Sequence, residues 1–231
     1  MRGCTMSLRV TKTAEIGRDA GIAVVILAGG EASRMGGGKP LRMLGGRTLP
    51  DRAIERARGW SDTVLLSVRA ADQVGAASLP LLIDEPGLAG PLAGLAAARR
   101  VEHPAVTIPC DMPFLPSDLF ARLAAELPGH GAARAERGGQ VYPVCGLWRT
   151  EALGEIERYA ATGRRSLIGF AQAIGYATAS WDSGLFDNLN TPAELAAAEA
   201  PTHGVLTGKA VEFIIPAMPT AAAVPDSTLS H

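Results

Sequence analysis

The run Ile22-Ala23-Val24-Val25-Ile26-Leu27-Ala28 is short, β-branched and apolar without a helical period, and it stops at Gly29-Gly30. Such a segment fits a strand buried on both faces of a parallel sheet, because an amphipathic helix or a half-solvated strand would need polar residues at regular intervals. The pattern then alternates. Thr63 to Val68, Leu79 to Ile83, Ala105 to Ile108 and Gln140 to Trp148 read as strands. Between them, Leu49 to Arg58, the segment from Pro91, Pro116 to about Leu127, and Glu151 to Ala161 read as helices, with a short helix over residues 70–77. Thr191-Pro192-Ala193-Glu194 is a capping-box pattern opening a last Ala-rich helix. Strands alternating with helices predict a mostly parallel sheet covered on both faces.

Residues 1–20 read as a flexible leader, 21–200 as the folded domain, and 201–231 as an Ala-, Pro- and Ser-rich extension expected to be largely disordered, with a possible strand at Val211 to Ile215. A length of 231 residues with 47% hydrophobic composition can bury a real core. A formal net charge of −1 argues against wholesale electrostatic binding to nucleic acid or membrane. No apolar run reaches the roughly 18 residues of a membrane span, and residues 1–21 lack the apolar core of a secretion signal. Cys4, Cys110 and Cys145 form neither a CxxC pair nor a disulfide framework, so a reducing cytoplasm is the expected compartment. Cys110 and Cys145 read as buried small hydrophobes rather than nucleophiles.

The segment after the first strand, residues 29–47, reads as a loop rich in glycine and cations, with Arg34, Lys39, Arg42 and Arg47 against the single acid Glu31. Backbone N–H groups of glycines approach an anion without a Cβ in the way. Arg34 can fork onto phosphate oxygens while Lys39 acts as a point charge. The loop is neither a Walker A sequence, since Ser33 and Pro40 stand where Gly and Ser or Thr are needed, nor GxGxxG. The competing reading is a flexible turn with two solvated cations, and the preceding strand favours the phosphate site. Asp111, in Pro109-Cys110-Asp111-Met112-Pro113, follows a strand. It is thereby placed at the carboxyl edge of the sheet, where open α/β sheets bind ligands and a carboxylate can hold Mg²⁺. Asp84, in Asp84-Glu85-Pro86-Gly87-Leu88-Ala89-Gly90-Pro91-Leu92-Ala93-Gly94, also ends a strand. It reads either as a nucleotide or metal contact, with Gly90 and Gly94 admitting close backbone approach, or as a plain strand-loop-helix connection. Arg164-Arg165 and Asn188-Leu189-Asn190 precede helices and read as weaker anion or amide contacts.

Taken together, the Leu27-Ala28-Gly29-Gly30 loop with Arg34-Met35-Gly36 and Lys39, Gly90-Pro91-Leu92-Ala93-Gly94, Cys110-Asp111-Met112-Pro113 and Asn188-Leu189-Asn190-Thr191-Pro192 resemble the MobA-type nucleotidyltransferases, the molybdenum cofactor guanylyltransferases of the MobA-like NTP transferase family. The resemblance spans about residues 22–199. It implies a Rossmann-like three-layer α/β/α fold with a mostly parallel sheet. It also implies transfer of GMP from Mg-GTP to the phosphate of the molybdopterin cofactor, with release of pyrophosphate.

By matching position, Arg34, Lys39 and Asp111 would be catalytic. Leu27, Ala28, Gly29, Gly30, Lys39, Asp84 and Asp111 would line the nucleotide site, and Asp111 would ligate Mg²⁺. Arg164, Arg165, Asn188 and Asn190 would face the pterin substrate. GTP and molybdopterin cofactor are the implied partners, with delivery proteins or apoenzymes beyond them. Two departures stand out: Gly38 where relatives often have an acid before the loop lysine, and Ser67 where they often have Asn. A cytidylyltransferase acting on the same cofactor, and a non-catalytic molybdopterin-binding or delivery protein, are the competing readings. The first usually carries Leu-Ala-Ala-Gly in the loop and an acidic pair in place of Asn188 and Asn190.

Overall fold

A computed structural model of the chain describes residues 21–28, 43–74, 79–101, 103–182, 186–189 and 191–199. Strand β1 (Ala23–Leu27) is central. Val24 and Ile26 pack into the core on one face and Val25 on the other, with exposures of zero from Ala23 to Ile26. It lies parallel to β4 (Thr63–Val68) on one side and to β6 (Ala105–Pro109) on the other. The seven-stranded sheet has the order β5-β4-β1-β6-β8-β7-β9, with β5 (Leu81–Ile83), β7 (Ala132–Arg137), β8 (Gln140–Trp148) and β9 (Tyr176–Trp181). Only β8 runs against its neighbours, pairing antiparallel with both β6 and β7. The expected mostly parallel α/β sheet is what forms.

One face of the sheet is covered by α1 (Leu49–Arg58) and α3 (Leu119–Glu126), through Ala53, Ala57, Leu119, Phe120 and Leu123. The other is covered by α2 (Pro91–Ala97), α4 (Thr150–Leu153), α5 (Ile156–Ala161) and α6 (Leu167–Ile174), through Leu92, Leu95, Leu153, Ile156 and Phe170. Helix α7 (Pro192–Glu199) contributes Leu195 to a small separate cluster with Leu44, Leu49 and Leu189. The predicted capping box is present: Glu194 N–H donates to Thr191 Oγ1 at 3.1 Å, and Thr191 N–H to the Glu194 carboxylate at 2.9 Å. Helix α1 has a second box, between Thr48 and Asp51.

Several expectations need correction. Residues 43–48 are not loop but a hairpin, β2 (Met43–Leu44) with β3 (Arg47–Thr48). Its turn is Gly45-Gly46, with φ of +57° and +74°, the two-residue geometry that matches strand twist and excludes most side chains. The helix expected over Glu151–Ala161 is two helices parted at Gly154. The short helix over 70–77 is a 3₁₀ turn at Ala71–Val74. Pro116 does not begin α3 but sits in the turn before it, where Leu119 N–H donates to its carbonyl. Strands β7 and β9 and helix α6 were not anticipated. The expected leader 1–20, the glycine loop over 29–42 and the extension 201–231 with its possible strand lie outside the described residues. Among the described residues no helix is long and apolar enough to cross a membrane.

Candidate active site

From β1 the chain moves outward to β4 and β5, then crosses back to add β6 on the other side of β1. The crevice outside the carboxyl ends of β1 and β6 is therefore a topological switch point, the general ligand site of open α/β sheets. A cavity of about 210 Å³ lies there. It is walled by Leu27 at the end of β1 and Ala28 after it, Ser67 of β4, Asp84 after β5, Pro109, Cys110 and Asp111 at and beyond the end of β6, Gly90 before α2 with Pro91 and Gly94 in it, and by Val144 and Asn188.

The backbone of this edge is held tightly. Ala28 N–H donates to Ser67 O at 2.9 Å, Cys110 N–H to Leu27 O at 3.2 Å, and Leu189 N–H to Asp111 O at 2.9 Å. The Gln73 amide donates to Ala28 O at 3.2 Å, tethering the residue from which the glycine loop departs. Val144 reaches the wall because β8 leaves the sheet ladder there. Its pairing with β6 ends at Thr107–Gly146, and its register against β7 shifts between Arg134 and Ala135. Pro143, without an N–H, suits an interrupted ladder.

Two carboxylates share this cavity. Asp84 accepts a hydrogen bond of 2.6 Å from Ser67 Oγ, and Ser67 is itself 1% exposed. Burial raises the Asp84 pKa above the usual carboxylate range, while the Ser67 hydrogen bond and the charge of Arg69 pull it back. Helix α2 presses against this pair. A Cβ on Gly94 would stand 2.4 Å from Ser67 Oγ, 2.8 Å from Leu27 Cδ2 and 3.4 Å from Asp84 Oδ1. Gly94 is thus needed for packing of helix on strand. Asp111 lies on the opposite side of the cleft, and beneath it Cys145 is fully buried, with its thiol pKa pushed up by burial and further by the Asp111 charge. Cys145 Sγ contacts Met112 Sδ at 3.7 Å. Such a thiol stays protonated and is no nucleophile.

Of the residues singled out in the sequence, Leu27, Ala28, Asp84, Asp111 and Asn188 come together here. Gly29, Gly30, Arg34, Lys39 and Asn190 lie outside the described residues. Arg164 and Arg165 do not line the cavity: they are exposed in the α5–α6 connection, where Arg165 donates to the Ala160 carbonyl at the end of α5. In the sequence Ser67 stands out only as a departure from the family pattern, and Gln73 and Val144 carry no signal. Each acts through a contact between distant parts of the chain.

Among the described residues no group of three or more His, Cys, Asp or Glu could hold a metal. Asp84 and Asp111 line the cavity, and carboxylates are the donor type that a hard divalent cation takes together with phosphate oxygens and water.

A mostly parallel sheet with paired carboxylates at its switch point defines an α/β protein of the nucleotide-handling class. Comparison makes this specific: the chain belongs to the MobA-like NTP transferase domain family, whose sequence model matches residues 24–174. It is 40% identical over 185 residues to a molybdenum cofactor guanylyltransferase of Cereibacter sphaeroides, covering 76% of this chain and 94% of the relative. It is 37% identical over 193 residues to one from a Bradyrhizobium species, covering 76% and 90%. Among solved structures, molybdopterin-guanine dinucleotide biosynthesis protein A from Archaeoglobus fulgidus aligns with TM-score 0.65 at 24% identity, over 77% of this chain and 96% of that one. A 2-C-methyl-D-erythritol 4-phosphate cytidylyltransferase from Thermus thermophilus aligns at 0.57 and 23%, over 77% and 96%. These two likenesses establish the nucleotidyltransferase fold.

Proposed function

We propose that the protein transfers GMP from GTP to the terminal phosphate of the molybdopterin cofactor, forming molybdopterin guanine dinucleotide and pyrophosphate. The observation that carries this reading is the cavity at the β1–β6 switch point. It joins the residue from which the glycine loop departs, Ala28, to the two carboxylates Asp84 and Asp111 and the amide Asn188. The curated relatives named above bear the name of this activity.

In this reading a phosphate oxygen of the pterin substrate attacks the α-phosphorus of GTP, the bond from that phosphorus to the β-phosphate oxygen breaks, and pyrophosphate leaves. The attacking group is already an anion, so no strong general base is required. The obstacle is the approach of two polyanions, which positioning and fixed positive charge must overcome. Arg34 and Lys39 of the glycine loop are assigned to the phosphates. Asp84, held by Ser67, is assigned to the nucleotide, and Asn188 to the pterin side. Asp111 would hold Mg²⁺, which when bound offsets charge on the triphosphate.

The test is a nucleotide panel with purified molybdopterin cofactor. Pyrophosphate release is expected with GTP and Mg²⁺, and not with CTP or ATP. Asp111→Ala should lower turnover by at least 100-fold with an unchanged circular dichroism spectrum. Preference for CTP would instead make the protein a cytidylyltransferase, and no release with any nucleotide would leave a binding or delivery protein.

A further inference from the structure

On the face of the sheet opposite α2, a groove of about 410 Å³ runs between helix α1 and the segment that follows β6. It is lined by Arg52, Glu55, Arg56, Gly59, Trp60, Pro113 and Ser117, none of which borders the switch-point cavity. Its volume falls within the roughly 300–1,000 Å³ of small-ligand sites.

The charges in the groove are not balanced. Arg52 and Arg56 are four residues apart and therefore share one face of α1. Arg52 is fixed: its Nε and Nη2 both donate to the Leu44 carbonyl, at 2.9 and 2.5 Å. That leaves Nη1 as its remaining donor nitrogen. Glu55, the acid of the groove, is engaged by Arg47 at 2.5 Å on the solvent side. Arg56 is half-buried, and among the described residues its guanidinium has neither ion-pair nor hydrogen-bond partner. Burial lowers its pKa, and the nearby charge of Glu55 offsets this only in part. Four residues on, just past the end of α1, Trp60 donates its indole N–H to Ser117 O at 3.1 Å. Ser117 is exposed, with its hydroxyl available as a donor. Pro113 supplies an apolar wall.

We propose that this groove is a second anion site, taking a small phosphate-bearing molecule. Arg56 and the remaining nitrogen of Arg52 hold the phosphate, Ser117 Oγ adds a hydroxyl donor, and Trp60 and Pro113 pack against whatever the phosphate carries. An Arg pair with a hydroxyl is the donor set that matches tetrahedral phosphate oxygens, and a planar guanidinium recovers on binding the hydration that burial removed. A groove of this volume admits a compact anion. Pro113 stands two residues beyond Asp111, so an occupant abuts the segment that carries the carboxylate of the main cavity.

The site is tested with inorganic pyrophosphate, titrated calorimetrically into the full chain without nucleotide or divalent cation. The Lys39→Ala chain serves as background, which weakens binding at the glycine loop, and the Arg56 variants then report the groove. Saturable binding is expected in Lys39→Ala, weakened at least tenfold in Lys39→Ala/Arg56→Gln and largely restored in Lys39→Ala/Arg56→Lys. Quenching of tryptophan fluorescence should accompany binding and disappear when Trp60→Phe is added. No saturable binding in Lys39→Ala, or equal binding with and without Arg56→Gln, overturns the proposal. Turnover of GTP by the Arg56→Gln chain is expected to persist, so failure of the transfer reading and failure of the groove site are read from separate measurements.

Discussion

Asp84 holds one oxygen on the Ser67 hydroxyl while the rest of its carboxylate is partly desolvated, and the second effect is the larger. Its pKa in the folded chain therefore lies above that in the unfolded chain, so the folded state binds more protons. Between the ordinary carboxylate pKa and the raised value, stability must fall as pH rises. Asp84→Asn removes this term. The variant is expected to gain stability relative to the parent as pH climbs above the ordinary carboxylate pKa, while losing nucleotide binding; parallel urea-unfolding curves at all pH values would contradict the account. Arg134 raises a different issue. It is 8% exposed, its Nε and Nη1 have no hydrogen-bond partner among the described residues, and it stacks 3.7 Å over the Tyr176 ring. The ring contact recovers part of the cost, but unpaired buried donors typically cost about 1–3 kcal/mol. Arg134→Met keeps the volume and removes both donors. It is expected to raise the midpoint of thermal unfolding, with activity unchanged.

The elements differ in how openly the sequence announces them. β1, β4 and β6 carry β-branched residues buried on both faces, and α1 has a capping box and Pro in its first turn, so each is readable from local chemistry alone. β7 reads Ala-Ala-Arg-Ala-Glu-Arg, without a β-branched or aromatic residue, and is a strand because β8 and β9 lie beside it; β9 reads Tyr-Ala-Thr-Ala-Ser-Trp, whose strand formers are spaced by small residues, and it pairs along β7. Helix α6 is apolar apart from Gln172 and carries Gly169 within it, so its period is weak. The same division holds in the site. Asp84 and Asp111 were visible because each ends a strand and precedes a turn. The Ser67–Asp84 bond joins residues 17 apart, and the Gly94 contact joins a helix to two strands; both depend on packing. Gly94→Ala tests that packing. A methyl 2.4 Å from Ser67 Oγ must displace the hydroxyl or lift α2, so a loss of about 1–3 kcal/mol is expected. KM for GTP should rise with it, because Asp84 loses its holder.

At the scale of the whole chain, the switch-point cavity is assembled from the ends of β1, β4, β5 and β6 and closed by Val144 and Asn188 from much later in the sequence. Occupancy should therefore stabilise the domain as a unit. Mg-GTP at 100 times its Kd is expected to add about 2.7 kcal/mol to unfolding, by mass action. That gain should vanish in Lys39→Ala if the glycine loop binds the triphosphate. The reversed strand β8 has a consequence for how the chain is made. By Pro109 the ribosome has delivered β1, β4, β5 and β6, but the outer edge of β6 is the apolar Ala-Val-Thr-Ile-Pro. It stays uncovered until residues 140–148 emerge as the second arm of the β7–β8 hairpin. Trp148 completes the join by donating to Thr107 Oγ1 at 2.9 Å in the core. Until then the nascent chain displays an open strand edge of the kind that pairs with neighbouring chains. A translational stall or a proteolytic nick before Gln140 would thus release a self-associating fragment rather than an independent half.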